Sequence, residues 1–405
     1  MAARHWWLFL AWGAIALSSC TATESPSGNE NALSLGIALA QTGNAALYGQ
    51  EALQGVQVAG ELFNQAGQIK GHTLRLVIQD TGSDEAGAVN VFQTLINRDR
   101  VIGIVGPTLS QQAFSADPIA EQAGVPVVAP SNTARGIPEI GAFISRVSAG
   151  VDVVAPTAIQ AALEINPNIR RVAVFFAQDD AFSRSETEIF QKAIRENPKL
   201  ELVTVQQTQT TDTNFQAQIN ATLNLKPDLI VISGLAADGG NLIRQLRELG
   251  YQGLILGGNG VNTVNLFPVC RRLCNGVLVA QAYNPENPDP MNVKFRNAFE
   301  AKYRQPPSQF SAQAFTAVQV FADSLARLSQ EKNLSELPLA NLRQALNQEI
   351  LKGVYETPLG EIRFTPEGEV LQRFFYVGQI EMSEDGQSGK FNLVKKVERQ
   401  PQQAQ

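Results

Sequence analysis

The chain has 405 residues, with 32 Lys plus Arg against 38 Asp plus Glu, a formal net charge of −6, three Cys, three Trp and two His. All three Trp, His5 and Cys20 fall in the first 20 positions, so the rest of the chain holds His72 alone; His-rich zinc, iron or copper sites are excluded, and a Ser-His-Asp triad survives only if His72 supplies the base. The acidic balance argues against a nucleic-acid footprint, which needs a basic face, and the length suggests two domains or one large one at roughly 100 to 200 residues each.

In chain order, Arg4 and His5 precede an apolar run from Trp6 to Leu17 and then Leu17-Ser18-Ser19-Cys20. This reads as a secretory signal over 1–19 with a small-residue cleavage site, its apolar run shorter than the roughly 20 residues that span a bilayer. Leu-Ser-Ser-Cys resembles the bacterial lipobox, and that resemblance implies a lipid on Cys20 as the first mature residue. Residues 20–31, with TATESPSGNEN, have the polar composition of a tether. The folded part should therefore begin at Ala32 and work outside the cytoplasmic membrane, periplasmic or extracytoplasmic and lipid-anchored.

From Ala32 strands and helices alternate. LSLGIALA reads as a strand, Thr42 to Gly49 as a loop, Glu51 to Ala66 as a helix and Thr73 to Asp80 as a strand. A helix over Ala86–Arg98, a strand at Val101–Pro107, a helix over Gln111–Ala123 and a strand at Val125–Pro130 follow. The alternation restarts after Arg146 with helices at 152–165, 185–196, 213–223 and 239–249, and strands at 171–177, 200–207, 228–234 and 254–260. Such alternation predicts an α/β chain of two doubly wound parallel-sheet lobes with a cleft between them. A strand at 276–282 and helices at 291–303 and 312–328 come next, and GEIRFTPEGE and RFFYVGQI read as hairpin strands. The end, RQPQQAQ, has no apolar pattern, and 396–405 is expected as a disordered tail.

Ligands bind outside the carboxyl ends of strands in such sheets, so the strand-to-helix loops carry the candidates. Tyr48, in the first, offers a flat face with a hydroxyl at its tip; packing under its own loop is the alternative. Ser110 is placed as an N-cap beside free N–H groups that suit a carboxylate. Ser131, Asn132 and Thr133 form a second cluster of small donors and acceptors in the neighbouring loop. Asn259 stands among Gly257, Gly258 and Gly260, able to point across the cleft or to form a simple turn.

The ordered pieces LGIALAQTGNAALYGQEALQGVQVAGELFNQAG, GHTLRLVIQDTGSDEAGAV, VIGIVGPTLSQQA, VPVVAPSNT, NLIRQLRELGYQGLILGGNGV and TPLGEIRFTPEGEV resemble the type I periplasmic solute-binding proteins, the leucine/isoleucine/valine-binding family of ABC importers. The resemblance covers about 33–391 and implies two lobes joined by a three-crossing hinge, 32–147 with 283–354 in the first and 148–282 with 355–395 in the second. It implies a ligand carboxylate on Ser110 and Thr133, and an ammonium at the Ser131 carbonyl and Thr133 hydroxyl. Tyr48 and Phe310 then line the side-chain pocket, with Phe182 and Leu235 where the family places second-lobe aromatics. Asn259 departs from the family, which commonly has Glu or Asp there to neutralise the ammonium. Either Asp179, Asp180 or Asp238 takes over, or the ligand has no free ammonium.

Cys270 and Cys274 are four apart, too far for a disulfide in a regular helix, so either a non-helical turn bonds them or two thiols remain. The expected function is capture of a neutral or aliphatic amino acid and delivery to an ABC permease. No enzyme activity, cofactor or metal is expected, and the carrier is expected to be monomeric. A sensory module of the same fold, and a carrier for a small amide or carboxylate, are the alternatives.

Overall fold

A computed structural model describes residues 31–398. The signal peptide, the lipidation at Cys20, the tether up to residue 30 and the tail from 399 lie outside the described residues.

The apolar runs assemble into two separate sheets. In the first, β1 (Ala32–Leu39), β2 (Thr73–Asp80), β3 (Gly103–Val105), β4 (Val127–Ala129) and β5 (Ile144–Arg146) lie parallel in the order β2-β1-β3-β4-β5. Helices α1 (Ala46–Ala66), α2 (Glu85–Gln93) and α3 (Ser110–Gln122) make the connections. The chain then crosses over and lays down α4 (Val151–Ile165), β6 (Arg171–Ala177), α5 (Ala181–Glu196), β7 (Glu201–Thr208) and α6 (Gln216–Leu223). Next come β8 (Leu229–Ser233), α7 (Ala236–Glu248), β9 (Leu254–Gly257), the short α8 (Phe267–Cys270) and β10 (Leu278–Gln281). A return crossing leads to α9 (Pro290–Tyr303), α10 (Gln309–Glu331) and α11 (Leu339–Lys352), then to a small antiparallel sheet of β11 (Tyr355–Thr357), β12 (Gly360–Phe364) and β13 (Val370–Gln372). The chain crosses a third time into β14 (Phe374–Met382) and β15 (Gly389–Glu398), which add antiparallel to the second sheet in the order β15-β14-β10-β9-β8-β6-β7. β8, LIVIS, is buried at every position, as expected of a parallel strand covered on both faces.

Two expected boundaries are corrected. Residues 355–372 sit with the first lobe, not the second, because the Tyr355 hydroxyl is buried against Ser324 of α10 at 2.8 Å and the Ile350 carbonyl of α11 at 3.0 Å. Residues 396–398, expected in the tail, complete β15 against β14. Several helix starts also come earlier than expected, although α6 begins later, at Gln216. α1 begins at Ala46, and Gly49, expected to end a loop, lies inside it because a Cβ there would fall 1.8 Å from the Ala40 carbonyl oxygen. Helix and strand approach too closely for any side chain.

The three crossings are tied to one another. Arg146, only 2% exposed, places Nε 2.9 Å from Glu369 and Nη1 2.6 Å from the Ala134 carbonyl. Gln372 donates to the Ala282 carbonyl at 2.6 Å, linking the second and third crossings. A pairing this buried, with each end hydrogen-bonded, holds the geometry of the crossings more than it adds stability.

At the end of α8 the helix breaks at Arg271, with φ 51°, and a tight turn brings Cys270 and Cys274 to a Cα separation of 5.4 Å, joined as a disulfide. This is the non-helical route that a four-residue spacing requires. Thiol titration of unfolded, unreduced residues 32–398 should find no free thiol, and two after reduction. Two thiols before reduction would show the bond to be absent in solution.

Candidate functional site

Where strand order reverses in an open parallel sheet, the flanking strand-to-helix loops part and leave a crevice. The reversal lies between β1 and β3 in the first sheet and between β6 and β8 in the second. Around these two points the lobes close on a small cavity of about 30 Å³, well below the roughly 300–1,000 Å³ usual for small-molecule sites, so a ligand enters only where the lobes part. Tyr48, Thr108, Leu109, Ser110, Ser131 and Phe310 form the first-lobe wall; Asp180, Phe182, Leu235, Asn259 and Gly260 form the second.

Seven of the nine expected binding residues therefore meet in one place. Tyr48 is on the first turn of α1, not in a loop, and its ring stands edge-on to Phe310 at 5.0 Å. Its hydroxyl crosses to the other lobe, where it donates to the Gly260 carbonyl and accepts from the Ala236 N–H, both at 2.6 Å. Gly260 is required there, since a Cβ would lie 2.2 Å from the Gly234 carbonyl oxygen and 2.9 Å from the Phe182 ring. Tyr48 is thus both a cavity wall and a bolt between lobes.

Ser110 is the first residue of α3 and not its N-cap, a role that falls to Leu109. Gln112 accepts from the Leu109 N–H at 3.2 Å, and the Ser110 hydroxyl accepts from the Ala134 N–H at 3.3 Å, so the hydroxyl hydrogen remains for a ligand. The Ser131 hydroxyl is spent on the Thr108 carbonyl at 2.8 Å, although Ser131 still lines the cavity. Asn132 and Thr133 do not line it. Asn132 ties its loop to the Pro107 carbonyl at 3.1 Å. Thr133 is buried next to the Ser110–Ala134 contact, and its hydroxyl has no hydrogen-bond partner among the described residues.

On the second lobe Phe182 lies on the first turn of α5 and Leu235 caps α7, its N–H held by Asp238 at 2.9 Å. Asn259 follows β9, with its N–H on Glu186 at 2.9 Å and its side-chain oxygen accepting from Gln309 at 2.7 Å. Among the candidate carboxylates, Asp179 turns away to Thr210 and Asp238 is used at the α7 cap. Asp180 alone of the three lines the cavity. One oxygen caps α5 through the Ser183 N–H at 2.7 Å; the other, buried, makes no hydrogen bond of normal geometry. Sequence reasoning missed Thr108, Leu109 and Gly260 as lining residues, and named Asp180 as one of three candidate carboxylates without choosing among them. The signal was available in Asp180-Ala-Phe182 at the end of β6, where an N-cap carboxylate must sit at the cleft.

Electrostatically the second-lobe wall is acidic with no basic residue among those lining the cavity. Burial pushes the Asp180 carboxyl up to about 6, opposed by the Ser183 N–H and the Gln111 side chain that reaches over from α3. Burial likewise pushes Glu186 and Asp238, just behind the wall, to about 7, each raised further by the Asp180 charge. Three crowded carboxyl groups, with Arg184 the cation that acts on Asp180 and none on the cavity wall itself, make a place where a positive charge is favoured. Among the described residues no cluster of His, Cys, Asp and Glu is arranged to hold a metal ion.

A family model described as periplasmic binding protein matches residues 32–388. The leucine-, isoleucine-, valine-, threonine- and alanine-binding protein of Pseudomonas aeruginosa is 25% identical over 331 residues, covering 81% of this chain and 84% of the relative. The solved structure of a leucine-binding protein from Thermotoga maritima superposes with a TM-score of 0.79 at 24% identity, over 90% of this chain and 99% of that one. A solute-binding protein of an ABC transporter from Rhodopseudomonas palustris BisB5, in complex with 3,4-dihydroxybenzoic acid, superposes at 0.78 with 20% identity, over 91% and 98%.

Proposed function

The chain belongs to the periplasmic binding protein family, and from that membership we propose that it is the extracytoplasmic substrate-binding lipoprotein of an ABC importer, closing its lobes on a neutral amino acid. Asp180 carries the choice of ligand. A buried carboxylate with one oxygen in no hydrogen bond of normal geometry and the neutral Gln111 side chain beside it, on a cavity wall that no basic residue shares, is complementary to an ammonium group. On the opposite lobe a carboxylate seat is supported by the Ser110 hydroxyl on the wall, by the Thr133 hydroxyl buried beside it, and by the first-turn N–H groups of α3, the N-cap Leu109 N–H being taken by Gln112. Leu109, Phe182, Leu235 and Phe310 supply apolar surface between the two ends. An α-amino acid meets all three requirements. A carboxylate lacking the ammonium would leave Asp180 facing it unpaired, which favours the amino acid over an aromatic acid.

Delivery to a permease, lipid attachment through Cys20 and action as a monomer complete the proposal. A sensory role remains the second reading of the same ligand chemistry; copurification with permease subunits separates the two. Calorimetric titration of refolded residues 32–398 should give micromolar or tighter binding of a neutral amino acid, about −8 kcal/mol or better. Ser110→Ala and Thr133→Ala should each lose about 1–3 kcal/mol through hydrogen bonds to a charged group. Unchanged affinity in both variants would remove the carboxylate seat, and no binding of any amino acid would remove the ligand class.

A further inference from the structure

Asn259 is set in one orientation by a chain of side-chain amides that ends on a backbone group. The Ala282 N–H, which can only donate, lies 2.5 Å from one terminal atom of Gln309, and that atom is therefore Oε1. Oε1 also accepts from Asn262 Nδ2 at 2.7 Å, and Asn262 Oδ1 in turn accepts from Gln281 at 2.9 Å. Gln309 Nε2 must then donate to the atom 2.7 Å away on Asn259, which fixes that atom as Oδ1. Every amide orientation in this network follows from the one backbone donor. The remaining polar atom of Asn259, its NH2, has no hydrogen-bond partner among the described residues, and Asn259 lines the cavity.

An amide edge that can only donate repels an ammonium and attracts an acceptor. On the reading that the ligand is a neutral amino acid, with its ammonium at Asp180 and its carboxylate on the first lobe, both main-chain groups are already placed. We propose that Asn259, held by Gln309 as a positioning residue, reads a hydrogen-bond acceptor on the ligand's side chain, so that the preferred ligands are uncharged amino acids carrying a carbonyl or hydroxyl oxygen and not their aliphatic isosteres. A site built to hydrogen-bond a substrate oxygen discriminates strongly, because the analogue without it strands a buried protein group.

Three nearly isosteric amino acids test this by calorimetry: leucine, with no polar side-chain atom; 4-oxonorvaline, with an acceptor only; and asparagine, with an acceptor and a donor. The native protein should bind both 4-oxonorvaline and asparagine about tenfold or more tighter than leucine. In Gln309→Glu the second carboxylate oxygen can only accept, so the Asn259 amide must turn its NH2 toward it and present Oδ1 to the cavity. The advantage of 4-oxonorvaline should then vanish, whereas asparagine, which can turn its own amide, should keep its advantage. A structural role for Gln309 would weaken all three ligands alike. Asn259→Leu, which needs no buried charge, should bring 4-oxonorvaline down to leucine and serves if the first variant does not fold. Leucine binding as tightly as 4-oxonorvaline to the native protein, or an equal loss for all three in Gln309→Glu, overturns the inference and leaves the amino-acid reading standing. Failure of all three to bind overturns both.

Discussion

Asp180→Asn should weaken the binding of a neutral amino acid by about 3 kcal/mol, on the order of a hundredfold, while leaving the fold intact. Removing one partner of a buried pair strands the other, and here the stranded group would be the ligand ammonium, facing an acidic wall whose remaining carboxyls are already engaged. The substitution is mild for the protein itself. Asn caps helices about as well as Asp, so the contact to the Ser183 N–H at 2.7 Å survives, and a costly buried charge is removed. The melting temperature of the ligand-free variant should hold or rise.

The pH dependence separates this role from capping. With no ligand the Asp180 carboxyl ionises at about 6, raised by burial. An ammonium favours the ionised form, so binding lowers that value, and protons compete with the ligand. Affinity should be full above about pH 6 and fall as pH drops through it, by up to tenfold per pH unit. In Asp180→Asn that acid limb should disappear. Glu186 and Asp238, pushed up to about 7 behind the wall, are raised in part by the Asp180 charge, so in the variant their own titration moves down and any limb they contribute shifts to lower pH. Binding whose affinity and pH profile match the native protein would reduce Asp180 to a helix cap.

The two-lobed architecture was legible in the sequence because its signal is local. Apolar runs at strand length alternate with amphipathic stretches, and β6 spans Arg171–Ala177 in both readings. The cleft residues followed, since the rule for strand ends needs only the order of elements. Helix starts were read late at α1, α5 and α7 for one physical reason. First turns that face a cleft carry Tyr48, Phe182 and Asp238 for the partner lobe and the cap, and so break the apolar spacing of the helix body. α11 escaped notice altogether, its single apolar face shared among Leu342, Leu346 and Ile350. The placing of β11 to β13 could not be read locally, because what holds them is contact with α10 and α11. The orientation of Asn259 is of the same kind. It depends on Gln309, fifty positions away, and on a backbone N–H at a crossing between lobes.

Tyr48→Phe tests the closing step and should lower affinity by about 1–3 kcal/mol, roughly five- to 150-fold, for every ligand by a similar factor. The ring stays, with its edge-on packing to Phe310 at 5.0 Å, so the cavity wall is unchanged. What goes is a hydroxyl that donates to Gly260 and accepts from Ala236 across the cleft. In the open form both backbone groups return to water; in the closed form of the variant they are buried and unpaired, so the cost falls on closure alone. A closing equilibrium multiplies the affinity of all ligands equally, because affinity scales with the fraction of protein in the competent state. The variant should therefore release ligand faster and keep the ranking of ligands, in contrast to Gln309→Glu, which should change the ranking. Glu51, one turn along α1 and bonded to Thr263 and Asn265 of the second lobe at 2.6 Å each, would still join the lobes, so a shut form should persist as a smaller population detectable by small-angle scattering with saturating ligand. Native release rates in Tyr48→Phe would mean that closure is held by Glu51 and the ligand, and that the tyrosine hydroxyl only fills a gap.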